Sequence, residues 1–264
     1  MPDQKTTDPL KLQLIEFDIE WENKQANIQE LNQILSTTSQ VDIIVLPEMF
    51  TTGFSMDASK LAETMNGPTV RWMKGMSAEK QSAICGSLII ESEGSIFNRF
   101  VFATPEGELA CYDKRHLFSF AGEDQSFTKG SERKLIEYRG WRIMPQICYD
   151  LRFPVWSRND LQIDLLLYVA NWPEMRIAAW DALLKARAIE NLCYVAAVNR
   201  LGKDGNDLPY IGHSTIIGPD GFEIGNADTP HTISHQRLHD FRERFQFLKD
   251  KDDFIISSDN SKIS

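Results

Sequence analysis

Glu48, Lys114 and Cys148 are three residues whose types together supply a base, a cation and a nucleophile. A thiol with an ordinary pKa of about 8.5 is only a few per cent thiolate at neutral pH, so a nucleophilic cysteine needs a neighbouring carboxylate or cation. Glu48 follows the apolar run Val41-Asp42-Ile43-Ile44-Val45-Leu46 and Pro47, which pins a carboxylate at a strand end, where α/β sheets collect catalytic groups. Cys148 is reached through Arg142-Ile143-Met144-Pro145-Gln146-Ile147 and followed by Tyr149-Asp150-Leu151-Arg152-Phe153-Pro154. A strand that runs into a cysteine and turns sharply resembles a nucleophile elbow, which presents the thiol and aims the next backbone N–H groups at the atom under attack. Lys114, in Cys111-Tyr112-Asp113-Lys114-Arg115-His116-Leu117-Phe118, stands just past the second arm of a hairpin. Taken singly, each has an ordinary alternative: a solvated loop Glu, a surface Lys between charged neighbours, and a core Cys, as Cys85, Cys111 and Cys193 are read.

The elements that must position these groups are legible as short β-branched and aliphatic runs at residues 12–17, 41–46, 83–90, 97–103, 142–147, 165–169 and 194–198, all expected as buried strands. Helical patterns lie between some of them, at residues 21–35, with Ile28, Leu31, Ile34 and Leu35 on one face, and at residues 178–191. A last amphipathic helix is expected at residues 238–249. Strands alternating with helices imply an α/β fold. Pro105-Glu106-Gly107-Glu108, Arg139-Gly140 and Gly218-Pro219-Asp220-Gly221 are turn signals between runs too close for helical crossovers, so antiparallel hairpins must be mixed into the sheets. No internal repeat or low-complexity linker is visible. One domain over residues 1–264 is expected, with a frayed Ser/Asp-rich tail after residue 256.

Composition removes several classes of function. With 28 basic against 38 acidic side chains the net charge is −10, and no Lys/Arg-rich block appears, so a phosphate backbone would be repelled and nucleic acid is not an expected partner. No apolar run approaches the roughly 20 residues of a membrane span, and the start, residues 1–10, is polar. The four cysteines are widely spaced, with no CxxC pair and no His at zinc-ligand spacing. That pattern argues for free thiols in a reducing cytoplasm and against a structural metal; no cofactor is expected.

Leu46-Pro47-Glu48-Met49-Phe50, Tyr112-Asp113-Lys114-Arg115-His116-Leu117-Phe118 and Ile147-Cys148-Tyr149-Asp150-Leu151-Arg152-Phe153-Pro154, in this order and spacing, resemble the nitrilase superfamily of carbon-nitrogen hydrolases. The resemblance extends to Ala170-Asn171-Trp172-Pro173, Ala186-Arg187-Ala188-Ile189-Glu190-Asn191 and Gly212-His213-Ser214, and so covers nearly the whole chain. It implies a four-layer αββα sandwich of two mixed sheets flanked by helices, with Glu48, Lys114 and Cys148 meeting at one end, and commonly a homodimer joined through helices. In the implied mechanism Glu48 takes the thiol proton and passes it to the departing amine. Lys114 and the Tyr149 N–H hold the oxyanion, and water hydrolyses a Cys148 thioester. A second carboxylate after the lysine is also implied. Glu123, in Ala121-Gly122-Glu123-Asp124, is the best match, as an orienting and substrate-contacting group, with Asp124, or a surface role for Glu123, the alternative.

Within the superfamily the flanking segments look most like the omega-amidase branch, whose members hydrolyse the distal amide of 2-oxoglutaramate or 2-oxosuccinamate. A small dicarboxylate monoamide needs its far carboxylate read by a cation. Arg152 is the candidate, either in that role or as a structural ion-pair partner. Phe118 and Trp172 are expected as apolar walls of the pocket or as core aromatics. The same three groups would also serve another linear amide, an N-carbamoyl compound or a nitrile, and a non-catalytic binding protein is the reading from a different class.

Overall fold

A computed structural model describes residues 9–254, so the tail expected after residue 256 and the first part of the polar start lie outside the described residues. In chain order the elements are β1 (Leu10–Leu14), α1 (Lys24–Thr37), β2 (Ile43–Val45), α2 (Ala58–Leu61), α3 (Pro68–Lys80), β3 (Ala83–Ser92), β4 (Ser95–Ala103) and β5 (Leu109–Asp113). There follow α4 (Glu123–Ser126), β6 (Ile136–Tyr138), β7 (Trp141–Ile147), β8 (Leu165–Val169), α5 (Ile177–Asn191), β9 (Tyr194–Val198), β10 (Leu201–Lys203) and β11 (Pro209–Ile211). The last are β12 (Thr215–Ile217), β13 (Glu223–Asn226), β14 (His231–Ile233) and α6 (His235–Arg244).

Two six-stranded sheets carry the molecule, ordered β14-β1-β2-β3-β4-β5 and β13-β12-β9-β8-β7-β6, with β10 and β11 as a separate pair. Both are mixed, as the hairpin signals required. The three expected turns close β4–β5, β6–β7 and β12–β13, all antiparallel. Read from β14 and from β6, the two sheets share one sequence of pairings: antiparallel, parallel, parallel, antiparallel, antiparallel. Thus β1 answers to β7, β2 to β8 and β3 to β9, a duplication of topology that the residues themselves do not display.

Burial explains the layering. Alternate residues of β1, β2 and β4 (Leu12, Leu14, Ile43, Val45, Phe100, Phe102) form one apolar cluster with alternate residues of β7, β8 and β9 (Ile143, Ile147, Leu165, Leu167, Val169, Ala196), so these faces pack sheet on sheet. The opposite face of the first sheet, through Ile44, Ile84 and Val101, buries Leu31 and Leu35 of α1 and Val70 and Met73 of α3. The opposite face of the second, through Met144, Leu166 and Tyr168, buries Trp180, Leu184 and Ala188 of α5. A strand apolar on both faces reads as a continuous apolar run, which is why β8 and β9 match their expected bounds.

Helix ends moved where caps decide them. The helix expected over residues 21–35 begins at Lys24, because the Asn23 side chain accepts from the Ala26 N–H at 3.1 Å. The final helix, expected at residues 238–249, starts instead at His235 under a Ser234 cap (Arg237 N–H, 3.3 Å) and stops at Arg244, before a short 3₁₀ turn at Phe247–Asp250. The helix α3 is not among the expected helical patterns, although Gly67-Pro68 is an N-terminal signature with Pro at the first helical position. Among the described residues no helix is long and apolar enough to cross a membrane.

Candidate active site

The carboxyl ends of β2, β5, β7 and β8 converge at one edge of the sandwich. Cys148 follows β7 directly and opens a 3₁₀ turn, Cys148–Arg152, with a left-handed φ of +44°. That conformation costs a non-glycine residue on the order of 1–2 kcal/mol, so the surroundings must impose it. Asp150 does so from below: its Oδ2 accepts the Ile147 N–H (3.0 Å) and the Tyr112 hydroxyl (2.8 Å), while Oδ1 accepts the His116 N–H (3.0 Å) and its Nδ1 (2.8 Å). One buried carboxylate therefore ties the elbow to the segment that carries Lys114. Arg187 of α5 donates to the Leu151 carbonyl at 2.6 Å and braces the turn from the helix side. The Tyr149 N–H lies in the first turn of this short helix, where N–H groups have no partner within the helix.

Behind the sulfur stand three fully buried ionisable side chains, Glu48, Lys114 and Glu123. Lys114 Nζ donates to Glu48 Oε1 at 2.8 Å and to both oxygens of Glu123 at 2.9 Å, and it sits 5.1 Å from the centre of the Phe54 ring. Asn98, in the middle of β4, donates from Nδ2 to Glu48 Oε1 (2.8 Å) and Glu123 Oε1 (3.1 Å) while its Oδ1 accepts from Ser87 (2.8 Å). The second oxygen of Glu48 accepts the Asn171 N–H at 2.8 Å, and the Asn171 amide donates to the Glu48 carbonyl at 2.6 Å. The tips of the topologically equivalent strands β2 and β8 thus clasp each other, and the clasp aims the carboxylate. The Cys148 thiol donates to the Asn171 carbonyl oxygen at 3.8 Å, on the same residue whose N–H and side-chain amide hold Glu48.

Two carboxylates share one ammonium here. Burial by itself would lower the Lys114 pKa, but Glu123 and Glu48 outweigh it and hold the ammonium above its ordinary range. Burial raises Glu123, Lys114 opposes it, and Glu48 adds to it. Cys148 is held well above the usual thiol range by burial first and then by Glu48, against the pull of Lys114. At rest the sulfur is therefore a neutral thiol with an acceptor carboxylate beside it.

Cys148 opens on a cleft of about 420 Å³. Phe118, Tyr149, Arg152 and Trp172 line it, as does Asn171. Glu123, like Glu48 and Lys114, is fully buried and is not among the lining residues; set behind Lys114, it also accepts the Phe118 N–H at 2.6 Å through Oε2 and orients the lysine. Asp124, the alternative acid, is exposed and away from Lys114. Arg152 has no ion pair among the described residues; its guanidinium rests 5.0 Å from the centre of the Trp172 ring. Phe118 and Trp172 are wall residues and packed residues at once, Trp172 being 2 % exposed. Cys85 and Cys193 are core residues as expected, and Cys111 is half-buried against the first sheet's outer cluster.

Sequence reasoning gives no role to Asn98, Asp150, Asn171, Asn199 or Arg176, although Asp150 and Asn171 stand in the motifs that carry the resemblance. Asn199 follows β9 and fixes Trp172 at both backbone groups, accepting its N–H (2.8 Å) and donating to its carbonyl (2.9 Å). An amide among the apolar residues of β4, as Asn98 is beside Arg99, was the available sign. Its partners come from three other segments and are invisible locally.

A thiol, a carboxylate and an ammonium joined at the carboxyl ends of two stacked sheets define a cysteine-centred αββα protein. The family described as carbon-nitrogen hydrolase matches residues 12–233. The omega-amidase YafV of Yersinia enterocolitica is 44% identical over 255 residues, 94% of this chain and 98% of that protein. The 2-oxoglutaramate amidase of Bacillus subtilis is 35% identical over 214 residues, 78% of this chain and 82% of that one. Among solved structures XC1258 from Xanthomonas campestris, a CN-hydrolase superfamily protein with an arsenic adduct in its active site, superposes with a TM-score of 0.91 at 44% identity, covering 95% of this chain and all of that one. The chain belongs to the carbon-nitrogen hydrolase family of the nitrilase superfamily and is a hydrolase of carbon–nitrogen bonds.

Proposed function

We propose that the chain hydrolyses the distal amide of a small 2-oxo dicarboxylate monoamide, 2-oxoglutaramate or 2-oxosuccinamate, to the acid and ammonia through a Cys148 thioester. The observation that carries this reading is the placement of the Cys148 thiol on the cleft and against the carbonyl of Asn171, the residue whose N–H holds a Glu48 carboxylate fixed also by Lys114 and Asn98. As the sulfur attacks the amide carbon, its proton passes to Glu48, so the raised thiol pKa is met by transfer at the moment of bond formation and not by a standing thiolate. The developing oxyanion is held by Lys114 Nζ and the Tyr149 N–H; one such donor is worth about 3–4 kcal/mol of barrier. Collapse breaks the C–N bond, Glu48 returns the proton to the nitrogen, and ammonia leaves a thioester. Water then attacks as Glu48 takes its proton, the C–S bond breaks, and that proton restores the thiol.

The far carboxylate of the substrate meets Arg152, whose unpaired guanidinium on the cleft wall suits bidentate recognition. Phe118 and Trp172 cover the carbon chain between the two polar ends. The names of the relatives from Yersinia and Bacillus support the same substrate class. We also propose a cytoplasmic enzyme, given its free thiols, acting as a homodimer; exposed Ile189 on α5 and Phe222 nearby offer apolar surface for a pairing through helices, which sedimentation velocity would test.

The deciding experiment is ammonia release by wild type and Cys148→Ala from a panel of amides, nitriles and N-carbamoyl compounds. 2-Oxoglutaramate is expected to be turned over much faster than glutamine or a simple nitrile, and Cys148→Ala to release none. Equal rates on all three substrates would overturn the assignment. Mass spectrometry after brief exposure to substrate is expected to find an acyl adduct on Cys148.

A further inference from the structure

Arg176 lies on the wall of the same cleft, in the 3₁₀ turn Glu174–Arg176 that precedes α5. Its setting parallels that of Arg152. Its guanidinium sits 5.2 Å from the centre of the Phe118 ring, as that of Arg152 sits on Trp172, and a cation resting on an aromatic face leaves its N–H donors uncommitted. Among the described residues neither guanidinium has an ion pair or a hydrogen bond. By contrast Arg99, Arg133, Arg187, Arg200, Arg237 and Arg242 are each paired with a carboxylate. Trp172 links the two free arginines: its ring carries Arg152, and its indole N–H donates to the Arg176 carbonyl at 2.9 Å. Asp204, the carboxylate lining this cleft, is spent on its own loop, accepting from the Asn206 N–H (2.8 Å), the Leu208 N–H (3.1 Å) and the Tyr210 hydroxyl (2.9 Å).

We propose that Arg176 is a second specificity-determining residue and that it forms, with Arg152, a two-guanidinium clamp for the 2-oxo carboxylate end of the substrate. The inference rests on the amidase reading above and deepens it. A 2-oxo acid terminus presents three oxygens in conjugation, all acceptors, and one guanidinium can engage only two of them side by side. Two guanidiniums supply donors for the carboxylate and the ketone together. The same pair disfavours the 2-amino analogue, which replaces the ketone acceptor with an ammonium beside two positive charges and leaves donors unmatched. A single arginine would select a dicarboxylate monoamide; the pair selects the 2-oxo form over the 2-amino form.

The test measures kcat and KM of wild type, Arg152→Gln, Arg176→Gln, Arg176→Lys and the double glutamine variant on 2-oxoglutaramate, glutamine and pentanamide, an uncharged amide of the same chain length. For Arg176→Gln the ratio of kcat/KM on 2-oxoglutaramate to that on pentanamide is expected to fall about tenfold to hundredfold, mainly through KM. The preference for 2-oxoglutaramate over glutamine is expected to narrow as well. Arg176→Lys should restore part of the first ratio, and the double variant should lose less than the two single losses combined, because both side chains hold one terminus. If Arg176→Gln lowers kcat/KM on all three substrates by the same factor, Arg176 is a structural residue and the clamp is refuted. It is equally refuted if Arg152→Gln abolishes the preference and Arg176→Gln leaves it intact. A wild type with no preference for 2-oxoglutaramate over pentanamide would instead refute the proposed substrate class itself.

Discussion

Replacing Lys114 by Met keeps the length of the side chain and its contact with Phe54 but deletes the cation between two carboxylates that are both fully buried. Three charge-assisted contacts, at 2.8, 2.9 and 2.9 Å, disappear together. Removing one member of a buried ionic group costs about 3–5 kcal/mol, because the remaining charge is left uncompensated. For a chain of this size that corresponds to a fall in Tm on the order of 10 °C. The pH dependence gives a sharper signature. Burial already raises the Glu123 pKa, with Lys114 as the main opposing influence and Glu48 adding to the rise. Without the ammonium it climbs further, while the unfolded value stays near about 4.3. Above that pH the folded variant then holds more protons than the unfolded chain, so its stability falls as pH rises through the folded pKa. Calorimetry at pH 5 and pH 8 is expected to show Lys114→Met closer to wild type at the lower pH and furthest below it at the higher. Ammonia release should drop by about 10²–10³ in kcat from the lost oxyanion donor. A variant within about 2 °C of wild type at pH 8, with no added pH slope, would refute the account of one cation holding two buried carboxylates.

Iodoacetamide labelling of Cys148, followed by peptide mass, is expected to be slow at neutral pH and still rising beyond the ordinary thiol range near about 8.5, since burial and Glu48 keep the resting sulfur protonated. A plateau reached below pH ~8 would mean a standing thiolate and contradict the proton transfer proposed. In Gly130→Ala the new Cβ would fall 2.1 Å from the Asp113 carbonyl oxygen, next to Lys114, whose own carbonyl accepts the Gly130 N–H at 2.8 Å. Overpacking of that kind costs about 1–3 kcal/mol, and the shift reaches the lysine, so both the denaturation midpoint and kcat should fall; an unchanged midpoint would show that the loop yields freely. Arg152→Lys is expected to raise KM for 2-oxoglutaramate more than for an uncharged amide, because an ammonium cannot make the bidentate contact, and equal effects would make Arg152 structural.

The chain order of apolar runs was enough to find seven core strands, the helices around Leu31 and Leu184 and the three hairpin turns, because burial on a pleated or helical face imposes a local period on the residues that do it. Glu48, Lys114 and Cys148 could be picked out for a similar reason: each ends or follows a strand, and their motifs recur together in one family. Helix ends drifted because a single cap such as Asn23 or Ser234 outweighs periodicity at a terminus.

Local sequence could not say that Asn98 spans both carboxylates, that Asp150 links the elbow to His116, or that Asn171 clasps Glu48 across 123 positions. Those contacts exist only once two sheets of matching topology stack and bring the ends of β2, β5, β7 and β8 together. The choice between Glu123 and Asp124 has the same character: adjacent in the chain and alike in charge, they differ in that one side chain turns inward to a buried ammonium and the other toward water. The residue types that could do chemistry were thus written along the chain. Which of them share a cation, how far each pKa moves and which arginines stay unpaired on the cleft wall depend on distances and desolvation, and only the packed tertiary structure sets those.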